Sequence, residues 1–448
     1  MTLSVVILAA GQGTRLKSAL PKVLHPLGGQ PLVRYAVDAA LAVAGDVSPV
    51  LVIGHGAEAV REALGQGVTY VIQAEQLGTG HAVQQAEAAL NGRSDHVLVT
   101  YGDMPLLRGE TLKALAETQA RNPGPLTLLT VVAPHLRDFG RIVRDAEGRV
   151  SAIVEAAQAT PEQLQIGEMN VGAYCFRADW LWANLPELPL SPKGEYYLTD
   201  IIARAVAEGG AVATVPLEDE AEVIGVNTRA QLARAEAALR RRVNEKWMAA
   251  GVTLTDPSAT YIEPTAQLGR DTVIWPNTYI QGRSVIGEGC VIGPNTIVRD
   301  TTIGQRCHVE CSVLEGATLA DDVAVGPFAH LRKGARLEQG VHMGNFGEIK
   351  NATLGPGVKM GHFSYIGDST IGANANIGAG AITCNFDGVK KNKTVIGANA
   401  FIGSDTMLVA PVEIGENART GAGAVVTKNV PPASLAVGMP ARVIRKLK

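Results

Sequence analysis

The second half of the chain repeats aliphatic residues at intervals of six, and this period restricts the fold more than any other feature. It does not fit an amphipathic α-helix, whose period is 3.6 residues. It is typical of a parallel β-helix of hexapeptides, in which each aliphatic residue points into a triangular coil. The repeats are Ile262, Leu268, Ile274, Ile280, Ile286, Ile292 and Val298; Leu319, Val325, Leu331, Leu337, Met343 and Ile349; Leu354, Met360, Ile366, Ile371 and Ile377; and Ile396, Ile402, Leu408 and Ile414.

The length of one coil follows from this repeat. Three hexapeptides make a triangular turn of about 18 residues, so residues 262–430 predict roughly nine stacked coils. The polar segment Cys384–Lys393 interrupts the period. We therefore expect it to leave the coil as a loop.

The first half follows a different rule, because strand-like and helix-like patterns alternate. Ser4–Ala10 is a continuous apolar run that ends at Gly11, as expected of a strand buried on both faces. Similar runs lie at 50–55, 68–73 and 96–103, with helical patterns at 79–90 and 111–120. This alternation predicts an α/β domain, Rossmann-like, with a mostly parallel sheet.

The boundary between the halves is predicted to be helical. Residues 229–249 place their apolar side chains on one face, and Gly251 suits the helix end. The predicted organisation is a nucleotidyltransferase domain at 1–228, a connecting helix at 229–251 and a β-helix domain at 252–448.

Charge and cysteine content exclude several classes of protein. The net charge of −3 provides no basic field for nucleic acid. The five cysteines form no CxxC pair, which favours reduced thiols over a disulfide framework or a zinc site. The apolar run Val5–Ala10 is too short to cross a bilayer. The sequence predicts a cytoplasmic protein that binds neither nucleic acid nor membranes.

A glycine-rich string follows the first strand: Gly11-Gln12-Gly13-Thr14-Arg15, five further residues, and Pro21-Lys22. Backbone N–H groups in such a turn can bind phosphates. The string is neither a P-loop, which needs Gly-Lys-Ser/Thr, nor a dinucleotide fingerprint, which needs a third glycine. The GxG alone indicates only a tight turn, but the whole string is a far more specific signal of a functional site.

This string resembles that of the sugar-1-phosphate nucleotidylyltransferases. Further segments narrow the resemblance to the bifunctional N-acetylglucosamine-1-phosphate uridylyltransferase/glucosamine-1-phosphate N-acetyltransferase family, and it extends through the repeat half. The residues that carry it in the first half are Gln73, Gly78, Thr79, Tyr101, Gly102, Asp103, Gly140, Glu155, Asn170 and Asn227.

The resemblance implies a role for each of these residues. UTP would be held by Leu8, Ala9, Ala10, Gly11, Gln73, Gly78 and Thr79, the sugar by Gly140, Glu155 and Asn170, and Mg²⁺ by Asp103 and Asn227, with Tyr101 and Gly102 beside them. Uridylyl transfer needs no protein nucleophile, since the substrate phosphate attacks; the protein must position two anions and offset their repulsion. Mg²⁺ prefers a few hard oxygen ligands. Arg15 and Lys22 can stabilise the pyrophosphate leaving group.

In the repeat half, the large polar residues are the informative ones. Arg332 and Lys350 are 18 residues apart, so they are expected to stack one above the other. Two stacked cations predict an anion site, such as a phosphate. Acetylation of an amino sugar needs a base, and His362 is the candidate, since histidine titrates near neutral pH. For His308 and His342 a structural role is the better interpretation.

By the same resemblance, Arg332 and Lys350 bind the sugar phosphate, and Tyr365 and Asn376 bind the sugar. Acetyl-CoA would lie along Ala379, Asn385, Phe386, Ser404 and Ala422. The resemblance also implies a homotrimer with the acetyl site between subunits. Two differences from the family concern the contacts with coenzyme A. Phe386 stands where the family usually has tyrosine. The arginine that the family places near Met439 is absent, and Arg442 and Arg445 are the candidates to substitute for it.

The predicted function is a pair of reactions. Acetyl-CoA acetylates glucosamine 1-phosphate, and UTP then converts the product to UDP-N-acetylglucosamine. One alternative is a single-activity nucleotidyltransferase with a regulatory or oligomerising β-helix. Another keeps both activities on a different nucleotide or sugar, such as thymidylyl transfer to glucose 1-phosphate. A non-enzymatic scaffold is the third and least supported.

Overall fold

The computed structural model describes residues 2–45, 47–133, 139–156 and 158–446. Its internal contacts divide the chain into two compact units, Met1–Leu239 and Arg240–Lys448. The division falls within the predicted helix at 229–251, which the structure forms over Arg229–Ala249. The role of this helix as a connector between domains at 1–228 and 252–448 stays a prediction.

The first unit is an α/β structure. Its strands are β1 (Leu3–Ala9), β2 (Pro26–Leu27), β3 (Gln30–Pro31), β4 (Val50–Ile53), β5 (Thr69–Ile72), β6 (His96–Tyr101), β7 (Leu126–Val132), β8 (Arg141–Arg144), β9 (Val150–Val154), β10 (Glu168–Arg177) and β11 (Val212–Leu217). Its helices are α1 (Leu32–Leu41), α2 (Ala57–Leu64), α3 (Thr79–Gln84), α4 (Glu87–Leu90), α5 (Gly109–Arg121), α6 (Ala178–Asn184) and α7 (Asp200–Ala207), and α8 (Arg229–Ala249) begins in this unit.

The main sheet confirms the predicted mostly parallel arrangement. Its order is β11-β7-β10-β6-β1-β4-β5, and β8 and β9 attach to one side of β10. Strands β1, β4, β5 and β6 are mutually parallel, as are β7 and β11, whereas β10 runs antiparallel to β6 and β7. All seven residues of β1 are buried, as its continuous apolar run predicts.

One predicted helix is divided. The pattern at 79–90 forms two short helices, α3 and α4, rather than one. The Ala86 N–H donates to the carbonyl of Val83, three residues back, which tightens the backbone between them. Periodicity alone does not show such a break, because both pieces keep their apolar side chains on the sheet.

The second unit consists of three sheets of short strands, and the described residues place each strand in one of them. Sheet I contains Thr253–Leu254, Val273–Ile274, Val291–Ile292, His308–Val309, Ala324–Val325, His342–Met343, Lys359–Met360, Asn376–Ile377, Phe401–Ile402, Arg419–Thr420, Ser434–Val437 and Arg442–Lys446. Sheet II contains Thr260–Ile262, Thr278–Gln281, Ile297–Arg299, Val313–Glu315, His330–Leu331, Gly347–Lys350, Ser364–Gly367, Ile382–Cys384, Met407–Val409 and Val425–Val426. Sheet III contains Gln267–Leu268, Val285–Ile286, Thr302–Ile303, Thr318–Leu319, Arg336–Leu337, Thr353–Leu354, Ser369–Ile371, Thr394–Ile396 and Val412–Ile414.

These sheets form the predicted left-handed parallel β-helix. Each strand pairs in parallel with the strand one coil later, apart from the final antiparallel hairpin of sheet I. Every aliphatic residue of the predicted repeats is buried, except for the half-buried Leu268. Burial of each such side chain contributes about 1.5–3 kcal/mol, so the six-residue period has a direct energetic basis.

The coils are less regular than a strict period of 18 predicts. Leu331 pairs with Ile349, 18 residues later, but Val298 pairs with Leu314, 16 residues later. A coil can shorten by omitting corner residues while its aliphatic residues still point inward. The segment at 384–393 does leave the coil: the chain passes from Cys384 to Thr394 through a loop closed by a bridge between Phe386 and Lys391.

Candidate functional sites

The glycine-rich string of the first unit folds so that its two ends touch. Gly13 has a φ of 66°, and a Cβ at this position would overlap the Cβ of Lys22. Gly56 is packed in the same way against the ring of Pro21. The absence of side chains at these two glycines therefore lets Pro21 and Lys22 lie against the turn that follows β1.

Lys22 of this string meets two other predicted residues, Asp103 and Asn227, at the edge of the sheet where β1 and β6 end. The Lys22 ammonium lies 2.5 Å from Asp103 Oδ2 and donates a hydrogen bond of 3.1 Å to Asn227 Oδ1. Asp103 follows β6, and its carbonyl accepts from the N–H of Val226, the residue before Asn227. This backbone bond holds the two oxygen-bearing side chains side by side, although they are distant in sequence.

These two side chains fit a divalent cation of the predicted kind. Asp103 Oδ2 and Asn227 Oδ1 both accept from the Lys22 ammonium, so the two oxygens lie close together. One carboxylate and one amide oxygen suit Mg²⁺, which takes few protein ligands and completes its shell with water and phosphate oxygens. Within the part of the chain that the structure describes, no three His, Cys, Asp or Glu side chains form a denser metal cluster.

The predicted nucleotide-binding residues surround the same edge. Gln73 is buried, and its Nε2 donates to the Gly78 carbonyl and contacts His81 Nδ1, both at 3.1 Å. The Thr79 hydroxyl accepts from the N–H of Leu198. Since an amide nitrogen can only donate, these contacts do not use the Gln73 side-chain oxygen.

Residues at the ends of two central strands complete this edge. Leu8, Ala9 and Ala10 are buried at the end of β1, and Gly11 after them is exposed. Gly102 follows β6, and its N–H donates to the Leu8 carbonyl at 2.9 Å. In parallel α/β sheets, ligands bind at the carboxyl ends of such strands.

The predicted sugar-binding residues form a second cluster. The Asn170 N–H donates to the carbonyl of Gly140, and a Cβ on Gly140 would lie 3.6 Å from both carboxylate oxygens of Glu155. Burial and the nearby carboxylate of Asp200 raise the pKa of Glu155. The structure therefore brings Gly140, Glu155 and Asn170 together, with Tyr101 packed close to Gly172 beside them.

Arg15 differs from Lys22 in its surroundings. It is exposed on the short 3₁₀ helix Thr14–Leu16, and no contact joins it to Lys22 or Asp103 among the described residues. A role on the leaving group would require this arginine to approach a bound ligand from the surface.

In the second unit, Arg332 and Lys350 stack as predicted. Leu331 pairs with Ile349, and the Arg332 N–H donates to the Ile349 carbonyl at 2.8 Å, which places the two cations on neighbouring strands of sheet II. The repulsion between these two positive charges is partly offset, because Arg332 forms a 2.8 Å ion pair with Glu348. The spacing of Arg332 and Lys350 does not by itself reveal Glu348 as a partner.

A third cation joins them that the sequence interpretation missed. A hydrogen bond to Lys391 and the charge of that residue lower the pKa of Lys350, so the two amines are adjacent. Lys391 also lies 4.0 Å from the carboxylate of Asp368. The loop at 384–393 contains three lysines, and its sequence does not indicate which of them returns to the coil.

His362 lies at the corner between sheets I and II, after the strand Lys359–Met360. The Gly380 N–H donates to the carbonyl of Phe363, so the corner of the next coil, with Ala379, lies directly above. The N–H groups of Asp405 and Gly423 continue this stacking to the carbonyls of Ala379 and Ser404. The corner thus forms a column that leads from His362 along Ala379, Ser404 and Ala422.

Two predicted sugar-binding residues lie on different faces of the β-helix. Tyr365 is in sheet II with Arg332 and Lys350, whereas Asn376 is in sheet I, on the other side of the His362 corner. Of the predicted coenzyme residues in the loop, Asn385 is buried and Phe386 is 59% exposed. One chain therefore brings only part of the predicted acetyl site together.

Comparison with known proteins supports both halves of this description. Residues 5–163 match the model of the MobA-like NTP transferase domain, and residues 265–300 and 393–428 match the bacterial transferase hexapeptide repeats. "Bifunctional protein GlmU" from Heliobacterium modesticaldum is 49% identical over 435 residues, covering 97% of this chain and 95% of that protein. Its counterpart from Pelobacter propionicus is 46% identical over 447 residues, covering 99% and 97%.

The chain belongs to the GlmU family.

Membership in the GlmU family confirms the predicted family, the fold class and an enzyme with two transferase activities, one in each half. Like this chain, its GlmU relatives carry both halves over almost their whole length. No helix among the described residues of this chain is long and apolar enough to cross a membrane. The roles of its individual residues stay predictions from geometry and chemistry.

Proposed function

We propose that the protein makes UDP-N-acetylglucosamine by acetylating glucosamine 1-phosphate with acetyl-CoA and then transferring a uridylyl group from UTP to the product. The convergence of Lys22, Asp103 and Asn227 at the carboxyl edge of the sheet carries this proposal. It supplies a cation and two hard oxygens where a nucleoside triphosphate would place its phosphates. The β-helix supplies a separate cation cluster and histidine for the first reaction.

In uridylyl transfer, a phosphate oxygen of N-acetylglucosamine 1-phosphate attacks the α-phosphorus of UTP. The new P–O bond replaces the bond to the β-phosphate, and pyrophosphate leaves. Mg²⁺ at Asp103 and Asn227 would neutralise phosphate charge. Lys22 stabilises the leaving group, while the backbone after β1 positions the triphosphate.

The orientation of Gln73 favours a base with a ring N–H. Its Nε2 is bonded to the Gly78 carbonyl, so its oxygen is left to accept from N3–H of uracil. Cytosine lacks this hydrogen and is disfavoured. Thymine has it, so this contact supports uridylyl over cytidylyl transfer and leaves the thymidylyl alternative to a competition between UTP and dTTP.

In acetyl transfer, the amine of glucosamine 1-phosphate attacks the thioester carbonyl of acetyl-CoA. His362 takes a proton from the nitrogen as the C–N bond forms, and the C–S bond breaks to release coenzyme A, whose thiolate receives a proton. Arg332, Lys350 and Lys391 bind the sugar phosphate, and Tyr365 and Asn376 orient the sugar. The corner column of Ala379, Ser404 and Ala422 carries the coenzyme with Asn385 and Phe386, and Arg442 or Arg445 would contact its distal end.

We also propose a homotrimer in which neighbouring β-helices complete the acetyl site. Asn376 and the cation cluster lie on different faces of one chain, so a second chain would bring such faces together. At the same corner of the β-helix, two coils and one coil before His362, the rings of Phe328 and Phe346 stack at 5.3 Å and are 58% and 59% exposed. Exposed aromatic pairs of this kind are typical of protein interfaces.

A cytoplasmic location fits the five free cysteines and the substrates.

Removal of one of these rings should weaken the trimer. We expect Phe346→Ser to shift the mass measured by light scattering from that of three chains towards that of one, at least at low protein concentration. Acetyl transfer should fall with the trimer, while uridylyl transfer continues. Val285→Ser, which removes an exposed apolar residue of sheet III, is the matched control. An unchanged mass for Phe346→Ser would remove Phe346 from the interface.

Gly13→Ala should impair uridylyl transfer without unfolding the protein. The added methyl overlaps the Lys22 stem, and φ of 66° is unfavourable for alanine by about 1–2 kcal/mol. Displacement of the lysine by even ~1 Å is expected to lower kcat/KM by about 100-fold. Gly92→Ala, also at positive φ but with open space around it, is the control for backbone strain. Equal activity of the two variants would refute this role of Gly13.

The proposed function is tested by two assays on the wild-type protein. Thiol release is measured with glucosamine 1-phosphate and acetyl-CoA in the absence of UTP and Mg²⁺, and UDP-sugar formation is measured after both are added. The proposal predicts activity in each. Pyrophosphate release from UTP and N-acetylglucosamine 1-phosphate without any thiol release would leave a single-activity enzyme with a β-helix scaffold.

A further inference from the structure

The carboxylate of Asp368 connects the two parts of the loop at 384–393 to the coil that carries Lys350. Asp368 Oδ2 accepts from Asn385 Nδ2 at 2.5 Å, near the start of the loop. The same oxygen lies 4.0 Å from Lys391 Nζ, near the end of the loop. The Asp368 side chain is only 12% exposed, whereas that of Lys391 is 45% exposed, so the acid lies beneath the lysine that it contacts.

The position of Asp368 in the coil is itself fixed. Its Oδ1 accepts from Asn351 Nδ2 at 2.6 Å, and its N–H donates to the carbonyl of Lys350 at 3.1 Å. Its own carbonyl accepts from the N–H of Thr394, where the chain re-enters the coil after the loop. Asp368 therefore joins the Lys350 coil to both ends of the inserted loop.

The loop is compact beyond these anchor points. Asp387 accepts from the N–H groups of Val389 and Lys390 and from the side chain of Asn392. The Asn392 N–H also donates to the carbonyl of Asn385 at 2.7 Å. Because these bonds hold the loop together internally, we expect a change at its base to affect the loop as a whole.

We propose that Asp368 is a positioning residue for acetyl transfer, which sets Asn385 for the coenzyme and Lys391 for the sugar phosphate through a single carboxylate. The proposal rests on the acetyl-transfer reaction proposed above. Asp368 has no direct contact with substrate in this account. It acts through two residues that do, and this explains why a largely covered acid lies beside a cluster of cations.

The charge of Asp368 has a second consequence. The groups that face Lys350 and Lys391 are the cation Arg332, the phenol of Tyr365 and the carboxylate of Asp368. The two amines change each other's pKa most, lowering that of Lys350 and raising that of Lys391, and Asp368 acts to raise the pKa of both, because an anion stabilises the protonated form. Without this negative charge the lysines should lose their protons at a lower pH than in the wild type. As the pH is raised, phosphate binding should therefore begin to weaken at a lower pH as well.

The main test compares Asp368→Asn with Asp300→Asn in the full-length protein. Asp300 also follows a strand of sheet II and has a φ of 46°, against 48° for Asp368, but it accepts from the N–H of Arg283 and lies far from the loop. We expect Asp368→Asn to lower kcat/KM for acetyl transfer by about 100-fold, mostly through KM. As the pH is raised, KM for glucosamine 1-phosphate should begin to increase at a lower pH in Asp368→Asn than in the wild type. Asp300→Asn should change neither, and uridylyl transfer should be unchanged in both.

A second measurement follows the loop itself. Trypsin should cut after Lys390, Lys391 or Lys393 faster in Asp368→Asn than in the wild type or Asp300→Asn. Cleavage by trypsin does not depend on acetyl transfer. If the wild type lacked acetyl transfer, the proposed function would be refuted, but the cleavage rates would still show whether Asp368 anchors the loop. Unchanged kinetics, pH profile and cleavage would overturn the proposal. If Asp368→Asn does not fold, Asn385→Ala breaks the same bond from the loop side and should give the same faster cleavage.

Discussion

Lys22→Ala should reduce pyrophosphate release from UTP and N-acetylglucosamine 1-phosphate by at least about 10²–10³-fold, the cost of removing one charge-stabilising donor from a transferring group. Lys22 lies 2.5 Å from Asp103 and 3.1 Å from Asn227, so its loss also changes the charge around both proposed metal ligands. Because Lys22 belongs to the first unit, thiol release from acetyl-CoA should remain at the wild-type rate.

Lys113→Ala is the control for this prediction. Lys113 is an exposed residue of α5, and its only close ionic contact among the described residues is with Glu117 one turn later. It should leave both activities unchanged. Pyrophosphate release by Lys22→Ala within a few-fold of wild type would remove Lys22 from the reaction and leave Asp103 and Asn227 as a cation site without a catalytic lysine.

His362→Ala should give the complementary result: loss of acetyl transfer by about 10²–10⁴-fold, the usual contribution of a general base, with uridylyl transfer intact. The histidine is exposed at a corner of the β-helix, so its removal creates no cavity. The measurement is thiol release with saturating glucosamine 1-phosphate. The unfolding temperature should stay close to that of the wild type.

His342→Ala is the matched control, since His342 is also exposed and lies one coil earlier on sheet I. It should keep full acetyl transfer. If both histidine variants were equally active, the proton would have to be taken by another group, and the base assignment would be wrong. If both activities were lost in His362→Ala, the cause would be misfolding.

Much of the fold could be predicted because its energetics are local and periodic. The buried aliphatic residues of the coils recur in sequence, so Ile349 or Ile402 can be placed without knowledge of any neighbour. The continuous apolar run of β1 indicates a strand buried on both faces in the same direct way. The break between α3 and α4 and the 16-residue coil were missed, because neither changes which side chains face inward.

The candidate sites were predictable only in part. Lys22, Asp103 and Asn227 were named from a resemblance, and the structure brings them together through the Val226 backbone bond, which no pattern shows. Lys391 was missed because its return to Lys350 depends on the path of an inserted loop. Pairing of Arg332 with Glu348 was missed because the contact is diagonal: Glu348 pairs with His330, and the period of 18 places only Lys350 directly over Arg332.

The most direct test of two independent sites on one chain is a mixing experiment. Lys22→Ala and His362→Ala are each incubated with glucosamine 1-phosphate, acetyl-CoA, UTP and Mg²⁺, and then both variants are combined in one vessel. Mass spectrometry measures UDP-N-acetylglucosamine. We predict almost no product from either variant alone and abundant product from the mixture, because one variant supplies the acetylated intermediate and the other consumes it. Absence of product from the mixture of folded variants would contradict the two-reaction account.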